Sequence, residues 1–168
     1  MVFKLNKAGL IYSKNVLSNN IPKKHKVVNA SVSGETTSGA LARLPKLLQT
    51  HRPDLVVIEL GGNDGLRGQP PKMIEKNLAQ LVQKSQQAKA KVVLFGMKIP
   101  PNYGTAYSKA FENNYKTVSQ QYKVQLLPFF LEGVAGNKNL IQSDQIHPNA
   151  KAQPLLLNNA YPYIKRHL

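Results

Sequence analysis

Leu55-Val56-Val57-Ile58-Glu59-Leu60-Gly61-Gly62-Asn63-Asp64 is the stretch on which the fold turns. Its first six residues form an apolar run broken only by Glu59, the pattern of a strand buried on both faces. Gly61-Gly62 stops the run, and Asn63-Asp64 follows at its carboxyl end. Outward from it, residues 92 to 97 read as a second buried strand, with further strands over 25 to 32 and 124 to 130. Helical spacing of apolar residues marks 8 to 18 and 37 to 49, the latter despite Pro45. A third helix covers 71 to 88, introduced by Pro70-Pro71. A fourth carries Tyr107, Phe111, Tyr115 and Val118 on one face, and a terminal helix runs from about 149 to 164. Strands alternating with helices predict a parallel sheet covered on both sides, because a parallel connection needs a crossover and the crossover is usually a helix. The expected architecture is a doubly wound, flavodoxin-like α/β/α sandwich.

In such sheets ligands bind beyond the carboxyl ends of the strands. The unusual polar motifs fall at those ends: Ser33-Gly34-Glu35, Gly61-Gly62-Asn63-Asp64, Asn102-Tyr103-Gly104, and Asp144 with His147. Asp144 and His147 are three positions apart, in Asp144-Gln145-Ile146-His147-Pro148-Asn149. A carboxylate that accepts a hydrogen bond from one imidazole nitrogen fixes the ring and leaves the other nitrogen to take a proton from a hydroxyl. The competing reading of His147 is a structural histidine. The Asn63 amide at a tight strand end can donate to a developing oxyanion, although Gly, Asn and Asp are also plain turn formers. Gly34 can present its backbone N–H at a strand-to-helix junction, or be an ordinary loop glycine. Tyr107, Phe111 and Tyr115 read as core rather than as a substrate channel.

The composition bounds the remaining classes. A chain of 168 residues is one domain with room for a single sizeable core. Its apolar runs fall far short of the roughly 20 residues that span a bilayer. The N-terminal residues show no signal-peptide pattern, so that the chain as written would stay cytoplasmic. There are no cysteines, and His25, His51 and His167 lie in charged surface segments, which leaves no metal-ligand cluster. The net charge of +15 reflects 23 basic against 8 acidic residues. The lysines are dispersed, which points to a soluble surface or loose attraction to anionic lipid rather than to specific nucleic-acid binding.

Taken together in this order, the motifs resemble the SGNH, or GDSL, hydrolases of the bacterial periplasmic thioesterase/lysophospholipase type. The carriers of the resemblance include residues 28 to 36, Leu41-Ala42-Arg43-Leu44-Pro45, residues 59 to 68, Pro101-Asn102-Tyr103-Gly104, Leu127-Pro128-Phe129-Phe130 and residues 144 to 149. The resemblance implies that His147 is the general base and Asp144 its orienting carboxylate, with Gly34 and Asn63 as oxyanion donors. It further implies cleavage of acyl esters and thioesters (lysophospholipids, acyl thioesters, aryl or short-chain esters) through a serine acyl-enzyme, with no metal or organic cofactor. A monomer acting on small molecules in the periplasm or outside the cell is expected. The family begins with a strand ending in Gly-Asp-Ser-Leu, whose serine is the nucleophile, and no such tetrad occurs in this sequence. Ser13, Ser18, Ser31 and Ser33 lack the strand-to-turn setting of a nucleophile. The expectation is therefore a single domain over 1–168, N-terminally truncated by an internal start or a damaged gene, with its central first strand missing or substituted. Residues 1 to 5 are a partial filling of that gap at most, since chain direction and a short link to the next helix argue against them. The alternative is a non-catalytic acyl- or lipid-binding remnant.

Overall fold

The computed structural model describes residues 2–6 and 26–167. Five strands form one sheet: β1 (Val2–Asn6), β2 (Lys26–Asn29), β3 (Leu55–Glu59), β4 (Lys91–Phe95) and β5 (Gln125–Leu127), in the order β2-β1-β3-β4-β5. The helices are α1 (Thr37–His51), the short α2 (Gly62–Leu66), α3 (Pro71–Gln87), α4 (Thr105–Tyr122) and α5 (Gln153–Lys165). Each expected strand and helix from residue 26 onward is present with its ends shifted by a few residues, and α2 is an addition. The expected helix over 8 to 18 lies outside the described residues.

The sandwich follows from alternation along β3 and β4. Val56 and Ile58, with Val92 and Leu94, join one core beneath α1, α3 and α4; Leu55 and Val57, with Val93 and Phe95, join the other beneath α5. Successive strand side chains point to opposite faces, so a run with no polar residue must be covered twice. α1 buries Ala40, Leu44 and Leu48 at four-residue spacing, and α5 does the same with Leu156, Ala160 and Ile164. Thr36 caps α1 by accepting from the Gly39 N–H at 3.2 Å.

The expected α/β sandwich with a parallel sheet is present in β3, β4 and β5, and it differs in one strand. β3, β4 and β5 are mutually parallel, but the sheet is mixed: β1 runs antiparallel to both neighbours, with Phe3 in register with Asn29 and Val57. The interior place between β2 and β3 is thus taken by Val2–Asn6, the segment whose direction argued against it. Both neighbours need backbone partners in the core, and an antiparallel ladder supplies them without a parallel crossover. The reversal matters for the site. Val2 pairs with Ile58 and Leu5 with Leu55, so the start of β1 lies toward the carboxyl end of β3, and its end points to the opposite edge.

Candidate active site

The carboxyl ends of β3 and β4 open into a cavity of about 490 Å³. Leu60, Met97, Ile99, Phe129, Leu131 and Ile146 give it a largely apolar lining, and Asn63 and His147 supply polar groups. No serine, threonine or cysteine lines it among the described residues.

His147 is delivered by a closed loop. Ile141 and Pro148 form a β-bridge, the Gln142 N–H donates to the His147 carbonyl at 2.7 Å, and the Asn149 N–H donates to the Leu140 carbonyl at 2.8 Å. Gln145 takes up the left-handed turn, with φ 61°. Inside that loop Asp144 Oδ1 accepts the backbone N–H groups of Ile146 and His147, both at 2.9 Å, while Oδ2 lies 2.6 Å from His147 Nδ1. The carboxylate therefore orients both the loop and the ring. His147 Nε2 has no partner among the described residues, and the side chain is 66% exposed, hence open to an incoming group.

The backbone N–H of His147, then that of Ile146, then the imidazole itself, hold the Asp144 carboxyl at about 2, below its ordinary 3.8. A depressed acid favours the ordered loop above the unfolded value and loses that effect as pH falls through the folded one. The contribution is thus complete above pH 3.8 and fades toward 2. Carbon-13 NMR of the Asp144 carboxyl should give a midpoint near 2, with the Ile146 and His147 amide shifts moving together with it. A midpoint at or above 3.8 would mean that the loop does not hold the carboxylate in solution.

Asn63 lies in the first turn of α2, and its Nδ2 donates to the Glu35 carbonyl at 3.0 Å. That bond fixes the plane of the amide, and the second N–H has no partner among the described residues. Gly34 stands in a turn closed by Glu35 N–H to Val32 carbonyl at 3.3 Å, with φ +70°. Its carbonyl accepts from the Arg67 guanidinium at 3.2 Å. Gly34 itself is not part of the cavity lining, although its neighbours Val32 and Glu35 are. Of the four residues picked from the sequence, Asn63 and His147 thus share the cavity, Asp144 stands behind His147, and Gly34 sits behind Glu35.

Several supporting residues escaped sequence reading. Asp64 is fully buried and accepts from Thr37 N–H at 2.9 and 3.1 Å and from Thr37 Oγ1 at 2.5 Å. A carboxylate at the amino end of α1 also meets the favourable end of the helix dipole. Asp64 thereby locks the Asn63 turn onto the helix that follows Gly34. Arg43 clamps the same loop through an ion pair with Glu35 and a bond to the Ala30 carbonyl at 2.9 Å. From the other side the Tyr103 hydroxyl donates to Leu66 carbonyl at 2.8 Å, and Tyr107 to Gln69 carbonyl at 2.6 Å. Tyr115 is core, as expected, yet its hydroxyl donates to the Leu60 carbonyl at 2.8 Å. A Cβ on Gly61 would lie 2.5 Å from the Tyr115 hydroxyl oxygen, and φ there is +103°, so glycine is required. The available signal was a tyrosine, rather than a phenylalanine, on an apolar stripe.

Asp64→Ala should lower stability by about 3 kcal/mol, since it strands the buried Thr37 N–H and hydroxyl. In a thermal melt followed by circular dichroism that is a drop of roughly 6 to 12 °C, and Asp64→Asn should lose less because the amide oxygen still accepts. An unchanged melt for Asp64→Ala would show that the carboxylate does not tie the turn to α1.

Residues 9–154 match the family described as GDSL-like Lipase/Acylhydrolase. The chain is 54% identical over 141 residues to Esterase TesA of Pseudomonas aeruginosa, a match that covers 84% of this chain and 70% of that protein. It is 45% identical over 141 residues to Thioesterase 1/protease 1/lysophospholipase L1 of Escherichia coli strain K12, covering 84% and 68%. The fold superposes on the crystal structure of TesA with a TM-score of 0.82 at 54% identity, over 84% of this chain and 78% of that one.

Proposed function

This chain belongs to the GDSL-like lipase/acylhydrolase family, and from that premise we propose that its cavity is the acyl-ester site of a serine-type esterase and thioesterase whose nucleophile this sequence does not supply. The observation that carries the reading is the Asp144–His147 pair at 2.6 Å, opening on an apolar cavity that also holds Asn63. In the proposed chemistry a serine hydroxyl attacks the acyl carbonyl and gives its proton to His147 Nε2. The Asn63 amide stabilises the oxyanion, and the Gly34 N–H, which stands outside the described lining, is assigned as a second donor on the family resemblance alone. Collapse breaks the ester or thioester bond, and the leaving alcohol or thiol takes the proton from His147. Water then repeats the sequence on the acyl-enzyme. Substrates are lysophospholipids, acyl thioesters and aryl or short-chain esters, handled by a single-domain monomer in the periplasm or outside the cell, with loose attraction to anionic lipid.

The lack of a Gly-Asp-Ser-Leu tetrad in the sequence, and of any hydroxyl or thiol side chain among the described lining residues, supports a second reading. In it the chain is a non-catalytic acyl- or lipid-binding module. The two separate on one pair of measurements. The purified 168-residue protein should hydrolyse p-nitrophenyl butyrate at the background rate, whereas the same chain preceded by a strand ending in Gly-Asp-Ser-Leu should turn over and be blocked by a serine reagent. Serine-reagent-sensitive turnover by the 168 residues alone would show that the nucleophile is already present. A folded but silent extended protein would favour the binding module.

A further inference from the structure

Lys98 is the one lysine or arginine among the described residues that line the cavity. It follows β4 between Met97 and Ile99, and its ammonium is held 4.8 Å above the centre of the Phe129 ring, itself part of the lining. A ring face attracts a cation and confines it without neutralising its charge. No carboxylate pairs with Lys98 among the described residues. Of the acids in the described lining, Glu35 is paired with Arg43, and no ion pair joins Lys98 to Glu59 among the described residues. The result is a largely apolar pocket with one unneutralised lysine at its wall, seated on the Phe129 ring.

We propose that Lys98 is the specificity-determining residue of this cavity, selecting acyl ligands that carry a phosphate group on the far side of the ester or thioester bond over neutral acyl esters. This rests on the acyl-ester reading of the cavity. A lysine recognises phosphate as a point charge rather than by a planar fork, so a glycerol-linked headgroup phosphate and the phosphate of a pantetheine arm present the same chemistry to it. The apolar lining takes the acyl chain in either case.

The test is calorimetric binding to the 168-residue protein of three decanoyl probes: neutral monodecanoylglycerol, decanoyl lysophosphatidylglycerol and S-decanoyl phosphopantetheine. The phosphate-bearing probes should bind roughly fivefold more tightly than the neutral one at low ionic strength, as expected of one solvated ion pair, and the advantage should shrink with added salt. Lys98→Met should remove the preference while leaving the neutral probe unchanged, because methionine still covers Phe129. Lys89→Met, a lysine outside the cavity, should leave the preference intact and so excludes the overall charge of +15 as its cause. Preference for one phosphate probe alone supports the proposal and identifies the source. Equal binding of all three probes, or a preference that survives Lys98→Met, overturns it while leaving the acyl cavity standing. Failure of all three decanoyl probes to bind removes the acyl reading, and this inference with it.

Discussion

In the chain extended by a strand ending in Gly-Asp-Ser-Leu, His147→Ala should lower turnover of p-nitrophenyl butyrate by about a millionfold, nearly as much as removing the added serine. The size of the effect follows from the geometry: His147 is the described titratable group whose ring nitrogen is both oriented, by Asp144 at 2.6 Å, and open to the cavity. Asp144→Ala should cost less, about ten-thousandfold, because a misoriented imidazole retains some basicity toward the hydroxyl. Asp144 also accepts two backbone bonds, so part of its loss should come from a displaced loop and show as altered Ile146 and His147 amide shifts. The double variant should be no slower than His147→Ala alone. Losses that add in the double variant would mean that the two residues act separately, and the base assignment would be withdrawn.

Asn63→Ala in the same extended protein should reduce kcat roughly a hundredfold to a thousandfold, the usual consequence of deleting one oxyanion donor. Because Asn63 Nδ2 also donates to the Glu35 carbonyl, a stability loss of about 1 kcal/mol should accompany it. Asn63→Asp separates the two roles. A carboxylate keeps the size of the amide but has no N–H to donate, so turnover should fall at least as far as in the alanine variant. Turnover preserved within a few-fold in Asn63→Asp would make Asn63 a turn residue with no part in the chemistry.

The β3 run, the helices over α1, α3 and α4, and the Asp144–His147 pairing are legible in the sequence because each rests on local spacing. Two-faced burial needs an unbroken apolar run, one-faced burial needs a four-residue period, and a carboxylate three positions before a histidine reaches its ring through one loop. Asn63 and the Gly61-Gly62 turn are legible for the same reason, since few residues tolerate such a strand end. What tertiary structure alone decided depends on groups distant in sequence. Asp64 serves Thr37, 27 residues away, Tyr115 serves Leu60, 55 residues away, and Arg67 holds the carbonyl of Gly34, 33 residues away. No local pattern distinguishes Asp64 from an ordinary surface acid or Arg67 from a loop cation, and the tyrosine on the apolar stripe at 115 signals a buried hydroxyl without naming its partner. The strand between β2 and β3 is the clearest case. Local pattern cannot fix its direction, because antiparallel and parallel ladders satisfy the same backbone groups. The demand of β2 and β3 for partners explains why a strand sits there, and only the tertiary structure shows that Val2–Asn6 fills the place antiparallel to both. The sequence by itself determined which chemistry the rim can hold, and the packing of distant segments decided how rigidly that rim is built and which end of β1 faces it.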